Sequence, residues 1–141
     1  MLGETDLFPG GLYTWPENVR VSSMMSPSIL VKDGKPRMII GSGGSSRIRT
    51  AILQVLVNMV DYSMRLQQAV DHPRLHYENG KLNLEPGLLN TEEVSHFNRF
   101  NPVQWEGPNM FFGGTHAAAQ RKDGSFAGAA DARRAGVVVA V

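Results

Sequence analysis

The residues best suited to chemistry form a glycine and serine cluster, GSGGSS at positions 41–46, between an apolar run and a helical pattern. Successive backbone N–H groups in such a turn create a positive concavity that can bind a phosphate or a transient oxyanion. A P-loop needs a lysine after the glycines, and this sequence has none there. The dinucleotide fingerprint needs glycine or alanine where Ser46 stands, and a nucleophile elbow needs glycine where Ile40 stands. Two interpretations remain: an oxyanion site, or a tight strand-to-helix connection that uses glycine for its backbone freedom.

The histidines do not form a metal-binding pattern. His72 and His76 are four residues apart, but Pro73 interrupts the helix that would place them on one face. His96 and His116 have no partner at metal-ligand spacing. We therefore predict no metal site and no cofactor.

Composition excludes several classes of function. The chain has 141 residues, no cysteine and a formal net charge of +1. Without a basic stripe, binding to nucleic acid or to a membrane surface is disfavoured, and without cysteine there is no disulfide framework and no thiol nucleophile. No apolar stretch reaches the length of roughly 20 residues that a membrane-spanning helix needs. The length fits a single domain over residues 1–141.

The glycine cluster must be positioned by the elements around it. Residues 28–32 and 37–42 are rich in β-formers, and Asp33-Gly34 between them predicts a hairpin turn. From residue 48 onward, apolar residues recur at helical spacing, with Ser46 as the predicted N-cap. We predict a second helix capped by Ser63 that ends before Pro73.

The remainder of the chain reads as a hairpin, a helix and further strands. Asn79-Gly80 predicts the next turn, Asn90 or Thr91 caps a third helix, and Asp123-Gly124 predicts another hairpin. The apolar tail GVVVAV at 136–141 predicts a buried strand. This order predicts an α+β fold with a largely antiparallel sheet and a helical layer on it.

Two local features have a more ordinary interpretation. We interpret Asp131 with its arginine neighbours at 133 and 134 as a salt bridge within a tight turn rather than part of a site. Trp105, Phe111 and Phe112 are interpreted as core or interface residues. Residues 1–27 predict a long irregular segment, which in a compact domain is usually functional or belongs to something larger.

Four spaced motifs stand out together: SSMMSP at 22–27, GSGGSSRI at 41–48, AVDHPR at 69–74 and GAADARRAG at 128–136. In these motifs the chain resembles the small subunit of the gamma-glutamyltransferase family over nearly its whole length. The resemblance implies an N-terminal-nucleophile hydrolase, part of an αββα sandwich of antiparallel sheets flanked by helices. Such enzymes cleave themselves to free a threonine, which attacks a γ-glutamyl amide with its own α-amino group as base. Water or an amino acid then takes the acyl group.

The resemblance also assigns site residues in this chain. The family's oxyanion pair aligns with Gly44 and Ser45, whose backbone N–H groups would be the donors. The pair of serines that holds the substrate carboxylate aligns with Ser22 and Ser23 or, without a one-residue shift, with Ser23 and Met24. Asp6 matches the aspartate that pairs with the substrate α-amino group, so residues 1–27 would be an irregular substrate-site segment.

The catalytic Thr-Thr-His-x-Ser segment of the family has no counterpart in this sequence. We therefore expect a C-terminal fragment of the small subunit, in which Met1 is not a native start, and no turnover by this chain alone. Its partners would be a γ-glutamyl substrate and the remaining segments of both subunits, or a second copy that covers exposed apolar surface. The alternatives are a related cephalosporin or amide acylase, and a non-catalytic oligomerising domain of the same fold. The sequence does not assign a compartment, although relatives are often periplasmic or secreted.

Overall fold

The computed structural model describes residues 7–11 and 13–139. Within them the strands are β1 (Ser28–Lys32), β2 (Lys35–Gly43), β3 (Leu75–Glu78), β4 (Lys81–Leu84), β5 (Pro102–Gln104), β6 (Gly114–Gln120) and β7 (Phe126–Ala129). The α-helices are α1 (Arg47–Val60), α2 (Leu66–Asp71) and α3 (Thr91–Ser95), and 3₁₀ turns lie at Asn98–Phe100, Met110–Phe112 and Ala132–Arg134. Residues 7–11 and 13–27 contain no helix or strand.

The larger sheet has the strand order β1-β2-β6-β7, and all of its pairings are antiparallel. Its core face packs on α1 and α2, as the alternation along β2 requires. Met38 and Ile40 of β2 are buried against Ile48, Ile52 and Val55 of α1. These α1 residues recur at helical spacing, so a single stripe of α1 covers the sheet. The predicted α+β fold is confirmed.

The opposite face of this sheet is open. Register pairs Ile29 with Ile39, Ile39 with Ala118 and Ala118 with Gly128, which gives a cross-strand row on one face. Ile29 is 64% exposed and Ile39 is 55% exposed. The row forms an apolar groove of about 810 Å³, bordered by Val138. We call this surface the open face.

The smaller sheet has the order β3-β4-β5 and lies beside the start of α1. The β3–β4 hairpin turns at Asn79-Gly80 as predicted, with both residues at positive φ. β5 pairs with β4 in parallel, because α3 and a 3₁₀ turn return the chain to the far edge of the sheet.

Two predicted boundaries are wrong. α2 begins at Leu66 after Arg65, whereas Ser63 has a φ of 54° in the connection from α1 and does not cap the helix. The tail is not a buried strand over 136–139: Val137 is 80% exposed and lies in no strand. The 3₁₀ turn Ala132–Arg134 follows β7 and directs the chain away from the strand ladder, so β-branched residues alone do not create a strand there. Positions 140 and 141 lie outside the described residues.

Candidate active site

The glycine turn connects the end of β2 to the start of α1, on the core side of the larger sheet. Gly44 has a φ of +136°, a conformation that favours glycine, and Ser45 has a φ of 57° in the left-handed region. The Arg47 N–H donates to the Gly44 carbonyl at 3.2 Å, and the Ile48 N–H donates to the Ser45 carbonyl at 3.1 Å. These two bonds join the turn to the first turn of the helix.

Close packing also requires glycine at position 44. A Cβ on Gly44 would lie 2.8 Å from the Cα of Gly113, which is closer than real Cβ contacts. Gly113 follows the 3₁₀ turn Met110–Phe112 and has a φ of +81°. Two glycines therefore let two backbones touch at this point.

The amide groups of the turn are free to bind an anion. Among residues 7–11 and 13–139, the N–H groups of Gly44 and Ser45 donate to no acceptor. They lie next to the positive end of α1, a helix of 14 residues. An N–H donor that meets a developing oxyanion contributes about 3–4 kcal/mol of transition-state stabilisation. The turn can therefore stabilise negative charge without any side chain.

Ser46 occupies the predicted N-cap position, but its hydroxyl does not cap the helix. The hydroxyl donates instead to Glu78 Oε2 of β3 at 2.9 Å. The same oxygen also receives Arg47 Nη1 at 3.4 Å and His76 Nε2 at 3.2 Å. Sequence reasoning missed this cluster, because Glu78 and Ser46 are far apart in the chain and only the placement of β3 beside α1 joins them.

The environment shifts the pKa values in this cluster. Burial alone would raise the pKa of Glu78, but the Ser46 hydroxyl and the Arg47 guanidinium outweigh burial and lower that pKa. Burial lowers the pKa of His76 and outweighs the opposing effect of Glu78. Glu78 is therefore an acceptor at neutral pH, and the buried imidazole favours its neutral form.

A second charged cluster is buried behind the turn. Arg74 Nη2 lies 2.7 Å from Asp131 Oδ2, Arg133 Nη1 lies 3.2 Å from Asp131 Oδ1, and Arg133 Nη2 lies 2.6 Å from Glu85 Oε2. The Thr115 N–H at the start of β6 donates to Asp131 at 2.9 Å. The predicted turn salt bridge is present between Asp131 and Arg133, but its main partners come from distant elements, and the neighbour at position 134 is not among them.

The proposed substrate residues lie in the irregular segment before β1. Ser22 and Ser23 are exposed, and the Ser23 hydroxyl accepts a hydrogen bond from the Met25 N–H at 3.2 Å. Met24 is buried in the main hydrophobic core. Asp6 lies outside the described residues.

The aromatic residues form a packed cluster next to the turn. Phe112 is buried, and the rings of Trp105 and Phe111 stack with centroids 4.9 Å apart. The Arg47 guanidinium lies over the Phe111 ring at 4.8 Å, and its Nε donates to the Phe111 carbonyl at 3.0 Å. Through Arg47 the cluster is therefore joined to the residue that begins α1, and the Phe111 ring also lies 6.1 Å from the His76 ring of β3.

The described residues contain no grouping of three or more histidine, aspartate or glutamate side chains arranged to hold a metal ion. In the same part of the chain, each helix is too short or too polar to cross a membrane.

Comparison with known proteins gives consistent relatives. The family model described as Gamma-glutamyltranspeptidase matches residues 7–141. A glutathione hydrolase proenzyme of Bacillus subtilis (strain 168) is 29% identical over 141 residues, which is 99% of this chain and 24% of the relative. An acylase ACY 1 proenzyme of Pseudomonas sp. (strain V22) is 35% identical over 136 residues, which is 96% of this chain and 24% of the relative. The chain therefore spans about a quarter of the length of these curated relatives.

A solved structure agrees with the sequence matches. Gamma-glutamyltranspeptidase from Pseudomonas nitroreducens complexed with L-DON has a TM-score of 0.74 and 29% identity, covering 90% of this chain and 67% of that chain. The α+β architecture with antiparallel sheets and helices is thus the one found in this group of enzymes. The chain belongs to the gamma-glutamyltranspeptidase family, a family of hydrolase and transferase enzymes within the N-terminal-nucleophile hydrolase superfamily.

Proposed function

We propose that this chain is the C-terminal part of the small subunit of an enzyme that cleaves γ-glutamyl amides of the glutathione class. The observation that carries the proposal is that the N–H groups of Gly44 and Ser45 donate to no acceptor among the described residues, in a chain of this family. They would bind the oxyanion that forms when a threonine attacks the amide carbonyl. Ser45 can serve in place of a glycine because only its backbone N–H is needed.

The substrate would be held by the segment that precedes β1. Exposed hydroxyl groups at Ser22 and Ser23 can donate to a carboxylate, whereas Met24 is buried and offers no donor. Burial of Met24 thus supports the match of Ser22 and Ser23 with the family's serine pair. Asp6 would pair with the α-amino group of the substrate.

The nucleophile and the remaining binding groups would come from other segments of the enzyme. Curated relatives are proenzymes about four times as long as this chain. The open face exposes apolar rows that a globular protein normally covers. We propose that the remaining small-subunit segments cover the open face and bring the N-terminal threonine to the glycine turn.

The reaction would proceed through an acyl-enzyme. The threonine hydroxyl adds to the amide carbonyl, its proton passes to the threonine amine, and that proton goes to the leaving amine as the C–N bond breaks. Water or the amine of an amino acid then attacks the ester. Its proton passes through the threonine amine to the threonine oxygen as the ester C–O bond breaks, and the glutamyl group leaves on the new acceptor. The glycine turn stabilises the oxyanion in both steps.

Two proteins test the proposal with a γ-glutamyl anilide. The 141-residue chain alone should release no aniline. A chimera in which this chain replaces the matched quarter of the Bacillus subtilis relative should release aniline, because that relative supplies the threonine. In the chimera Ser45→Gly, which keeps the N–H, should preserve the rate. Turnover by the isolated chain, or a folded and processed chimera without activity, would contradict the proposal.

A related acylase is a second candidate, because the acylase ACY 1 relative is 35% identical over 96% of this chain. The same glycine turn would serve, and the group bound by Ser22 and Ser23 would differ. Assay of the chimera with a cephalosporin side-chain amide beside the γ-glutamyl anilide separates the two. A higher kcat/KM for the cephalosporin amide would favour the acylase.

A non-catalytic oligomerising domain is the third candidate, and the exposed open face favours it. In that case a second copy covers the face, and the isolated chain forms a discrete dimer in sedimentation experiments. A discrete dimer together with an inactive chimera would support this function over the enzymatic ones.

A further inference from the structure

A single carboxylate oxygen collects several donors next to the glycine turn. Glu78 Oε2 receives the Ser46 hydroxyl at 2.9 Å, His76 Nε2 at 3.2 Å and Arg47 Nη1 at 3.4 Å. The side chains of Glu78 and Arg47 are 24% and 23% exposed, and that of His76 is 6% exposed. The Ser46 bond has the ordinary length of a hydrogen bond, and the two contacts from the nitrogens are longer. A carboxylate oxygen that is shared by three donors restricts the directions of all of them.

The contacts form a closed ring around the first turn of α1. His76 Nδ1 lies 2.8 Å from the Thr50 hydroxyl, and that hydroxyl lies 3.1 Å from the Arg47 carbonyl, so its single proton can be donated to either of them. Arg47 returns to Glu78 through its guanidinium, and it also donates to the Ser46 hydroxyl at 3.0 Å. β3 therefore holds the helix start at two points one turn apart.

This arrangement explains why Ser46 does not cap its own helix. A serine at this position ordinarily accepts from an N–H two or three residues later. Here its hydroxyl points to β3, and the residue before it, Ser45, is held at a φ of 57°. A left-handed serine persists only when its surroundings determine its conformation. The surroundings here are Gly113, which lies against Gly44, and Glu78, which accepts from Ser46 and Arg47.

We propose that Glu78 is a positioning residue that holds the Gly44–Ser45 turn in its anion-binding shape through Ser46 and Arg47. The inference rests on the proposed function, because it assumes that the turn supplies the oxyanion donors. Glu78 does not touch the reacting atoms in this scheme. It sets the direction of the Ser45 N–H, so its loss should lower turnover while substrate binding through the segment before β1 is retained.

The first test uses the 141-residue chain and needs no activity. In ¹⁵N–¹H spectra, Glu78→Ala should shift and broaden the amide resonances of Gly44, Ser45 and Ser46. It should also speed hydrogen exchange of the Arg47 and Ile48 amides, which donate to the Gly44 and Ser45 carbonyls. Ser46→Ala removes one of the same hydrogen bonds from the other side and should move the same resonances. Glu92→Ala is the matched control, because Glu92 is exposed on α3. Glu78→Gln keeps an acceptor oxygen and should restore most of the wild-type spectrum.

The second test uses the chimera with a γ-glutamyl anilide. Glu78→Ala should lower kcat by about tenfold or more with KM nearly unchanged, since complete loss of one oxyanion donor costs on the order of 10²–10³ in kcat. Glu78→Gln should recover most of that loss, and Glu92→Ala should have no effect. A change in KM alone, or an equal loss in the glutamine variant, would point to a general folding defect and overturn the inference.

The two tests separate this inference from the proposed function. If the wild-type chimera is active but Glu78→Ala leaves the turn amides and kcat unchanged, the positioning role is wrong and the oxyanion assignment stands. If the wild-type chimera is inactive although it folds, the proposed function fails, and the spectra still decide whether Glu78 holds the turn. Should Glu78→Ala not fold, Ser46→Ala carries both tests, with Glu78→Gln as the conservative control.

Discussion

Replacing Asp131 by asparagine should be among the most damaging single-atom changes in this chain. Asp131 is 0% exposed and accepts from the Thr115 N–H at 2.9 Å, Arg74 Nη2 at 2.7 Å and two nitrogens of Arg133. With Glu85, the four charged side chains form an electrically neutral buried group. Asparagine keeps the shape but leaves one buried arginine charge without a partner. Removing one member of a buried pair costs about 3–5 kcal/mol.

Urea unfolding followed by circular dichroism measures this loss. We expect Asp131→Asn to lower the free energy of unfolding by about 3–5 kcal/mol with the urea dependence unchanged. The control is Asp33→Asn at the exposed β1–β2 turn, which should stay within about 0.5 kcal/mol of wild type. A loss below about 1 kcal/mol for Asp131→Asn would refute the reasoning, because it would mean that water reaches the cluster.

The same residue predicts how stability depends on pH. Burial alone would raise the pKa of Asp131, but the Thr115 N–H and the Arg74 guanidinium outweigh burial and lower it. In the unfolded chain the pKa of an aspartate is about 3.9, so the stabilisation by ionised Asp131 is complete above that pH. It is lost as the pH falls through the lower pKa of the folded state. The free energy of unfolding of Asp131→Asn should therefore fall less steeply than that of wild type as the solution is acidified.

Three further changes test other parts of the structure. Gly44→Ala should destabilise the chain by about 1–3 kcal/mol in urea unfolding, because alanine is strained at a φ of +136° and its Cβ meets Gly113; a neutral result would show that the turn adjusts freely. In wild type the free energy of unfolding should fall as the pH drops from about 6.5 through the lower folded pKa of His76, since the unfolded chain binds that proton more tightly. His76→Gln should abolish this fall, and identical pH profiles for wild type and variant would contradict the prediction. Ile39→Lys on the open face should reduce self-association of the isolated chain in sedimentation velocity without lowering its stability, because Ile39 is 55% exposed; equal association would place the contact elsewhere.

The sequence predicted the turns, the first helix and the cap of the third helix, because each of these depends on residues close together in the chain. The pairs Asp33-Gly34 and Asn79-Gly80 adopt positive φ at both residues, and this preference is intrinsic to these residue types, since glycine lacks a Cβ and Asp and Asn tolerate the left-handed region. The apolar residues of α1 recur at helical spacing because they lie on the one face of the helix that is buried against the larger sheet. Asn90 accepts from the Glu93 N–H at 2.9 Å, so the third helix cap is also local.

The charged clusters could not be predicted because they depend on sheet order. Ser46 looks like an ordinary cap until β3 brings Glu78 to it, and Arg74 shows no partner until β6 and the turn after β7 place Asp131 beside it. The sequence did indicate the local pair of Asp131 with Arg133, and a second signal is a charged residue in an apolar context, as at Glu85 after β4. Such a residue indicates a buried ion pair without naming its partner.

The two clusters have different consequences for the glycine turn. The buried group around Asp131 holds the start of β6 through the Thr115 N–H, and Gly113 and Gly114 directly precede that residue. The group around Glu78 fixes the helix start from the side. Gly44 and Ser45 adjoin both groups through Gly113 and Ser46, and their N–H groups find no acceptor within the described part of the chain. In the proposed role as an oxyanion site, these contacts would hold the two donors in place. Unpaired donors that are held rigidly are what electrostatic preorganisation requires, since no reorganisation is then needed when the charge develops.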